Sequence, residues 1–123
     1  MHVDFHGMKL PAPDTPLIEF ETDDGEVVDL YNNCRLRATT FDADGLTFEF
    51  AGADSATIRL RFREVQRLQV QQPLDWMVQE ASQIDHLLIR SEGAWPRFEF
   101  KTGGLRYEFD ASVVILARNL PSR

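Results

Sequence analysis

Much of the chain alternates apolar and polar residues with a period of two, which is the pattern of a β-strand that buries one face and wets the other. The clearest example spans residues 56–63. Its predicted core face is Ala56, Ile58, Leu60 and Phe62, and its predicted outer face is Thr57, Arg59, Arg61 and Arg63. A register shift of one residue would bury three guanidinium groups, so the pattern fixes the orientation of this strand.

Two flanking segments extend this strand into a three-strand meander. Residues 46–50 alternate in the same way, and residues 51–55 supply the small and polar side chains of a turn before the 56–63 strand. The sequence Asp-Ala-Asp-Gly at 42–45 predicts a second turn, which leads back to a strand over 34–40. The predicted core face of that strand is Cys34, Leu36 and Ala38.

A hairpin over residues 97–110 is the best-defined element in the sequence. The Gly-Gly pair at 103–104 suits a two-residue turn, because such a turn requires positive φ angles. The resulting register places two aromatic pairs on one face, and each pair contributes about 0.2–1 kcal/mol. These pairs are Phe100 with Tyr107 and Phe98 with Phe109.

The other face of this hairpin carries charged residues. Glu99 lies directly opposite Glu108 in the predicted register, whereas Arg106 is diagonal to Glu99 and Lys101 is diagonal to Glu108. We expect this face to be in contact with water, where repulsion between two carboxylates is weak.

Four further segments have the composition of strands. Residues 17–22 and 27–31 flank the turn sequence Asp-Asp-Gly-Glu and predict a third hairpin. Residues 65–70 resume the alternation after a phase break at 63–64, which indicates a bulge or a corner. The segment 113–117 is apolar at every position and predicts a strand inside a sheet or between layers.

One helix is predicted over residues 73–84, because Pro73 suits a first helical turn and several apolar side chains follow helical spacing. These side chains are Leu74, Met77, Ala81 and Ile84. Residues 84–90 follow as another strand.

These elements predict an all-β, mainly antiparallel fold, either a β-sandwich or a flattened barrel of about eight strands with one short helix. Residues 1–16 contain three prolines and predict an irregular lead-in. We expect a single β domain over residues 17–118 and a short tail over 119–123.

Composition and charge narrow the classes of function. Of 123 residues, 43% are hydrophobic and 27% are charged, as in an ordinary globular domain. The formal net charge of −7 disfavours nucleic acid as a partner, because phosphates are neutralised by a dense basic surface.

No apolar run approaches the roughly 18 residues of a membrane helix. The single cysteine excludes an internal disulfide, and the first residues lack the features of a signal peptide, so we expect a cytoplasmic protein with no membrane partner.

The most concentrated positive feature of this acidic chain is a row of arginines on two strands of the predicted meander. Its members are Arg35, Arg37, Arg59, Arg61 and Arg63. Such a surface would suit an acidic protein partner or an anionic ligand. The alternative is a solvated face in which nearby carboxylates neutralise the arginines. Those carboxylates would be Glu49 and either Asp42 or Asp44.

Two tryptophans, Trp76 and Trp95, fall outside the regular alternation. Aromatic side chains in such segments either anchor a partner or cover the open ends of a sandwich. The sequence leaves both roles open.

No catalytic apparatus is predicted from these residues. His86 lies on a strand, where the neighbouring Asp85 points to the opposite face and does not orient it. His2, Asp4 and His6 would project to one side of a strand and offer ligands to zinc, but the sequence positions no fourth ligand. We interpret that segment as a polar terminus, and we predict no metal and no cofactor.

Three segments together resemble the small β-sandwich proteins grouped among the bacterial immunity proteins of polymorphic toxin systems. They are Tyr31-Asn32-Asn33-Cys34-Arg35-Leu36, then Leu60-x-Phe62-x-x-Val65-x-x-Leu68-x-Val70, then Gly104-Leu105-x-Tyr107-x-Phe109-x-Ala111-x-x-Val114. The similarity covers about residues 28–117. It implies a cytosolic protein that binds and blocks a cognate toxin, with acidic charge that speeds association with a basic site.

We therefore predict a non-enzymatic protein-binding module of the immunity-like kind. One alternative is a small-ligand-binding barrel or an enzyme with a pocket near His86. Another is a homodimer that forms through an exposed edge strand. A filled core with an exposed charged patch would favour the protein-binding module, whereas a deep apolar pocket with polar groups would favour the small-ligand alternative.

Overall fold

The alternating segments of the sequence form β-strands. The computed structural model describes residues 3–9, 19–52, 56–71, 84–90, 97–102 and 105–119. Within these ranges there are eleven strands and one short helix, α1 (Leu30–Asn33). The strands are β1 (Asp4–His6), β2 (Glu19–Glu21), β3 (Val27–Asp29), β4 (Cys34–Asp42), β5 (Gly45–Gly52), β6 (Thr57–Arg63), β7 (Gln66–Gln71), β8 (Ile84–Arg90), β9 (Arg97–Thr102), β10 (Arg106–Asp110) and β11 (Val113–Asn119).

The strands form three sheets. The first has five strands in the order β1-β11-β6-β5-β4, and the second has four in the order β7-β10-β9-β8. The hairpin β2–β3 forms a separate small sheet. Strand β11 has a neighbour on each side, as its apolar sequence predicted, and its Val114 and Leu116 are buried.

The chain crosses between the two large sheets at the predicted phase break. Glu64 has a φ of +57° between β6, in the five-stranded sheet, and β7, in the four-stranded sheet. The chain returns after β10, where the Ser112 N–H donates to the carbonyl of Arg63 at 3.3 Å. The break is therefore a corner that places one sheet over the other.

Phenylalanine rings from both sheets fill the space between them. Phe48 of β5 stacks on Phe100 of β9 with 4.3 Å between ring centroids. Phe62 of β6 meets Phe98 and Phe109 edge to face at 4.9 and 4.8 Å. Offset and edge-to-face geometries of this kind stabilise aromatic cores beyond the area that they bury. The outcome is a sandwich with a filled centre.

The hairpin β9–β10 has the register that the Gly-Gly turn predicted. Phe100 pairs with Tyr107 and Phe98 pairs with Phe109. The Thr102 N–H donates to the Leu105 carbonyl at 2.8 Å, which closes the turn. This register explains why β9 and β10 together contribute four aromatic rings to the core.

Two elements differ from the sequence prediction. Residues 4–6, expected within an irregular lead-in, form β1, which pairs in parallel with β11. The strand expected over 27–31 ends at Asp29, whose carboxylate accepts a hydrogen bond from the Asn32 N–H at 3.0 Å and so starts α1. Residues 73–83 of the predicted helix lie outside the described residues, and its last residue, Ile84, instead begins β8.

The predicted core face of β4 is interrupted. Leu36 pairs with Phe50, but Ala38 pairs with Glu49, so Arg37 is an extra residue in a β-bulge. Cys34 is buried as expected, whereas Ala38 was wrongly placed on the core face and is exposed. One extra residue reverses the side to which every later residue of the strand points.

The predicted all-β, mainly antiparallel class is confirmed. The two packed sheets hold nine strands, against about eight expected. In the described part of the chain, no helix is long and apolar enough to cross a membrane.

Candidate functional site

The five predicted arginines share the outer side of the five-stranded sheet. Arg59 and Arg61 pair with Glu49 and Thr47 across β5–β6, on the side opposite the phenylalanines. On β4, Arg35 pairs with Ala51, and the bulge turns Arg37 to the same side. We call this set, together with Arg63 at the end of β6, the arginine face. Its members are Arg35, Arg37, Arg59, Arg61 and Arg63.

Glu49 neutralises part of the arginine face. Its Oε2 accepts a hydrogen bond from Arg37 Nε at 2.9 Å, and its Oε1 accepts one from Arg59 Nε at 2.8 Å. The hydrogen bonds from Arg37 and then Arg59 hold the pKa of Glu49 below its ordinary value, although desolvation acts against them. The carboxylate is therefore ionised and occupied on both oxygens.

The remaining arginines pair with no carboxylate among the described residues. Arg61 Nε donates to the neutral hydroxyl of Thr47 at 3.3 Å. Among the described residues, neither Arg61 nor Arg63 lies within 4.0 Å of a carboxylate oxygen. Asp42, expected as a counter-charge, instead accepts a hydrogen bond from the Asp44 N–H and shapes the turn. Positive charge consequently remains at the β11 side of the arginine face.

Apolar side chains border this charged row. Arg61 pairs with Ile115 and Arg63 pairs with Val113 on β11, and both apolar residues are half-buried. Asp4 and His6 of β1 pair with these same two β11 residues and are exposed. A row of guanidinium groups beside partly exposed aliphatic groups can contact both the carboxylates and the apolar surface of a partner.

The outer side of the four-stranded sheet carries a connected set of charges, of which the sequence predicted only Glu99, Glu108 and Arg106. We call it the charged network, and its members are Arg67, Asp110, Arg97, Glu108, Arg106 and Glu99. Arg67 holds both oxygens of Asp110 at 2.6 and 3.1 Å, and Arg97 donates to the same carboxylate at 3.0 Å. Asp110 is only 2% exposed, and these hydrogen bonds, first that from Arg67, lower its pKa.

Arg67 reaches Asp110 because β7 is bulged. Gln69 pairs with Glu108 and Gln66 pairs with Asp110, so two residues of β7 lie opposite one of β10. Arg67, at this bulge, has a φ of +53°, a conformation that costs a residue with a side chain about 1 kcal/mol or more. A bulge of this kind leaves no signal in the alternation of the sequence.

Glu99 corrects the expectation of a wet hairpin face. It lies opposite Glu108 as predicted, but it is 5% exposed. The predicted diagonal contact is present, since Arg106 Nη2 lies 2.6 Å from Glu99 Oε1 and 2.6 Å from Glu108 Oε1. Because Glu99 is buried, its charge is poorly hydrated, and the positive charge of Arg106 between the two carboxylates compensates for this loss of hydration.

Two concavities lie at one end of the sandwich. A cleft of about 320 Å³ opens between the β2–β3 hairpin and the five-stranded sheet, with Asp29, Cys34 and Ile58 in its wall. A second, of about 300 Å³, lies beside Thr22 and Asp23. Arg118 lines both and pairs with Glu26. Neither contains His86 in its wall, and the backbone of His86 pairs with Lys101.

Some of the other residues that the sequence singled out cannot be placed in the structure. Trp76, Trp95 and His2 lie outside the described residues. Within the described ranges, no three His, Cys, Asp or Glu side chains come together to hold a metal ion.

These features define the class as an all-β sandwich with two charged outer faces, one of which retains positive charge. Comparisons of the chain with protein-family models, with curated proteins and with solved structures found no match.

Proposed function

We propose that this chain is a non-enzymatic protein-binding module and that its partner docks on the arginine face. The observation that carries the proposal is the placement of five arginines on one outer sheet surface, where Glu49 neutralises only two of them by the described contacts. Charge of one sign on an exposed face steers association with a partner of the opposite sign.

The filled core supports binding on the outside of the sandwich rather than within it. Phe48, Phe62 and Phe109 are fully buried and in mutual contact at the centre. A small-ligand carrier would instead enclose an apolar cavity with a few polar groups. The described clefts lie at the sandwich end, away from these rings.

The specific form of this proposal is an immunity-like inhibitor of a cognate toxin in the cytoplasm. It rests on the resemblance to immunity proteins over about residues 28–117. The arginine face would then contact acidic residues beside the toxin's active site.

The test compares the wild-type chain with Arg63→Glu and with Lys9→Glu as baits in the native host. Both variants change the charge by the same amount, and Lys9 lies off the arginine face in an exposed pair with Glu21. We expect a protein retained by the wild type and by Lys9→Glu, with at least about tenfold weaker binding to purified Arg63→Glu.

A captured protein that binds all three baits equally would contradict docking on the arginine face. The absence of any retained protein, together with thermal stabilisation of the chain by a small metabolite, would overturn the protein-binding proposal. For the immunity-like form, the captured protein should arrest cell growth when expressed alone and not when this chain is co-expressed. A captured protein without toxicity would refute that form and leave the binding module intact.

A further inference from the structure

We propose that two copies of this chain associate through β7, which would join their four-stranded sheets into one continuous antiparallel sheet. Strand β7 lies at an edge of its sheet and, among the described residues, pairs only with β10. An edge strand presents unpaired N–H and C=O groups that another strand can satisfy. The interaction is independent of the arginine face, which lies on the other sheet.

The apolar side chains of β7 indicate a missing neighbour. Val70 points to the core side, where it pairs with Tyr107, yet it is 52% exposed. Leu68, two residues earlier on the same side, is half-buried against the core. A strand added beside β7 would cover the outer flank of both residues.

Charge favours β7 over the edge strand β4 for self-association. A twofold axis perpendicular to the sheet brings equivalent parts of two strands together, so a charged edge repels its own copy. Residues 68–71 carry no charge, whereas β4 carries Arg35 and Arg37. The one charged residue of β7, Arg67, is already held by Asp110.

One register suits two copies of β7. If the twofold axis passes beside Gln69, Leu68 lies opposite Val70 of the second copy, and Val70 lies opposite Leu68 of the second copy. Both contacts fall on the core side, and the two Gln69 amides meet on the outer side, where this residue is exposed. Centring on Val70 would instead bring Leu68 opposite a residue beyond the end of β7.

The test measures association by sedimentation over a range of concentrations. A short strand pair buries less than the roughly 1,200 Å² of a stable interface, so we expect a reversible dimer at high micromolar concentration. Val70→Lys should raise its dissociation constant by at least about tenfold. Val27→Lys is the matched control, because Val27 is 63% exposed on β3, outside the two large sheets.

A charge-swap pair tests the register. Gln69→Lys and Gln69→Glu should each remain monomeric, because the axis brings like charges together, and an equimolar mixture should form a heterodimer. A wild-type chain that is monomeric up to a concentration on the order of 1 mM would overturn the proposal. A dimer that survives Val70→Lys would also overturn it. The proposal would equally fail if Val70 proved to be required for binding a different protein and not for binding a second copy of this chain.

Discussion

The guanidinium group of Arg67 donates hydrogen bonds to both carboxylate oxygens of Asp110, although the two residues are 43 positions apart in the sequence. The contact links β7 to the end of β10, next to the point where the chain returns to the five-stranded sheet. Arg97 holds the same carboxylate from β9. One buried carboxylate therefore ties together three strands of the four-stranded sheet.

Replacing Asp110 should destabilise the protein more than replacing either of its arginine partners. Asp110→Ala leaves Arg97, which is mostly buried, without this counter-charge, and we expect a loss of about 3 kcal/mol in the free energy of unfolding. Arg67 is largely exposed, so Arg67→Ala should cause a smaller loss in the free energy of unfolding. Urea titration at neutral pH measures both. Equal losses would contradict the structural role given to the buried carboxylate.

The stability conferred by Asp110 should vanish in acid. The pKa of Asp110 is lowered from its ordinary value of 3.8 by the hydrogen bond from Arg67 and by that from Arg97, against a desolvation that raises it. Because the folded state binds the proton less readily than the unfolded state, the contribution is complete above the unfolded pKa and is lost as pH falls through the lower folded pKa. Asp110→Asn should therefore show a smaller decrease in unfolding free energy between about pH 5 and about pH 3 than the wild type. An unchanged decrease would mean that another group controls the acid response.

The turn between β4 and β5 should tolerate no side chain at Gly45. Its φ is +127°, and a Cβ there would lie 2.1 Å from the carbonyl oxygen of Phe62. We expect Gly45→Ala to lower the free energy of unfolding by at least about 3 kcal/mol. Gly25→Ala is the control, because Gly25 has a φ of +89° but its Cβ would meet no atom closer than 4.0 Å. That variant should lose about 1 kcal/mol from backbone strain alone, and similar thermal melts of the two variants would refute the steric argument.

Removal of an aromatic ring should lower the free energy of unfolding strongly only where the ring lies between the two sheets. Phe48 is fully buried and stacks on Phe100, so Phe48→Ala should lose about 3–5 kcal/mol. Phe41 belongs to the neighbouring strand β4 but is 58% exposed, so Phe41→Ala should change stability by less than about 1 kcal/mol. Denaturant unfolding separates the two. A large loss for Phe41→Ala would show that this ring is covered in solution.

Local pattern and turn chemistry were sufficient to predict much of this fold. The Gly-Gly turn determines the register of Phe98 and Phe100 because a two-residue loop allows one pairing. The position of the arginine face follows from the same alternation, since Arg59 and Arg61 flank buried Leu60. These predictions depend only on residues close together in the chain.

Features that depend on an extra residue or on a distant partner were not predictable. The bulge at Arg37 moved Ala38 out of the core, although the alternation of residues 34–40 gives no sign of it. The bulge at Arg67 similarly brings its side chain to Asp110. The burial of Glu99 depends on the packing around the whole sheet, which period-two alternation does not describe.

Glu49 offers a way to separate stability from binding on the arginine face. Its carboxylate forms ion pairs with Arg37 and Arg59, and the side chains of both arginines are about half exposed. Glu49→Gln should therefore change the free energy of unfolding by only about 1 kcal/mol, as for other surface ion pairs. The same substitution removes the counter-charge of two guanidinium groups, so an acidic partner should bind more tightly and with a steeper dependence on salt. Calorimetry with the captured partner at two salt concentrations measures the change, with Glu21→Gln, which frees Lys9 away from this face, as the control. Unchanged affinity for Glu49→Gln would show that the partner does not contact this part of the arginine face.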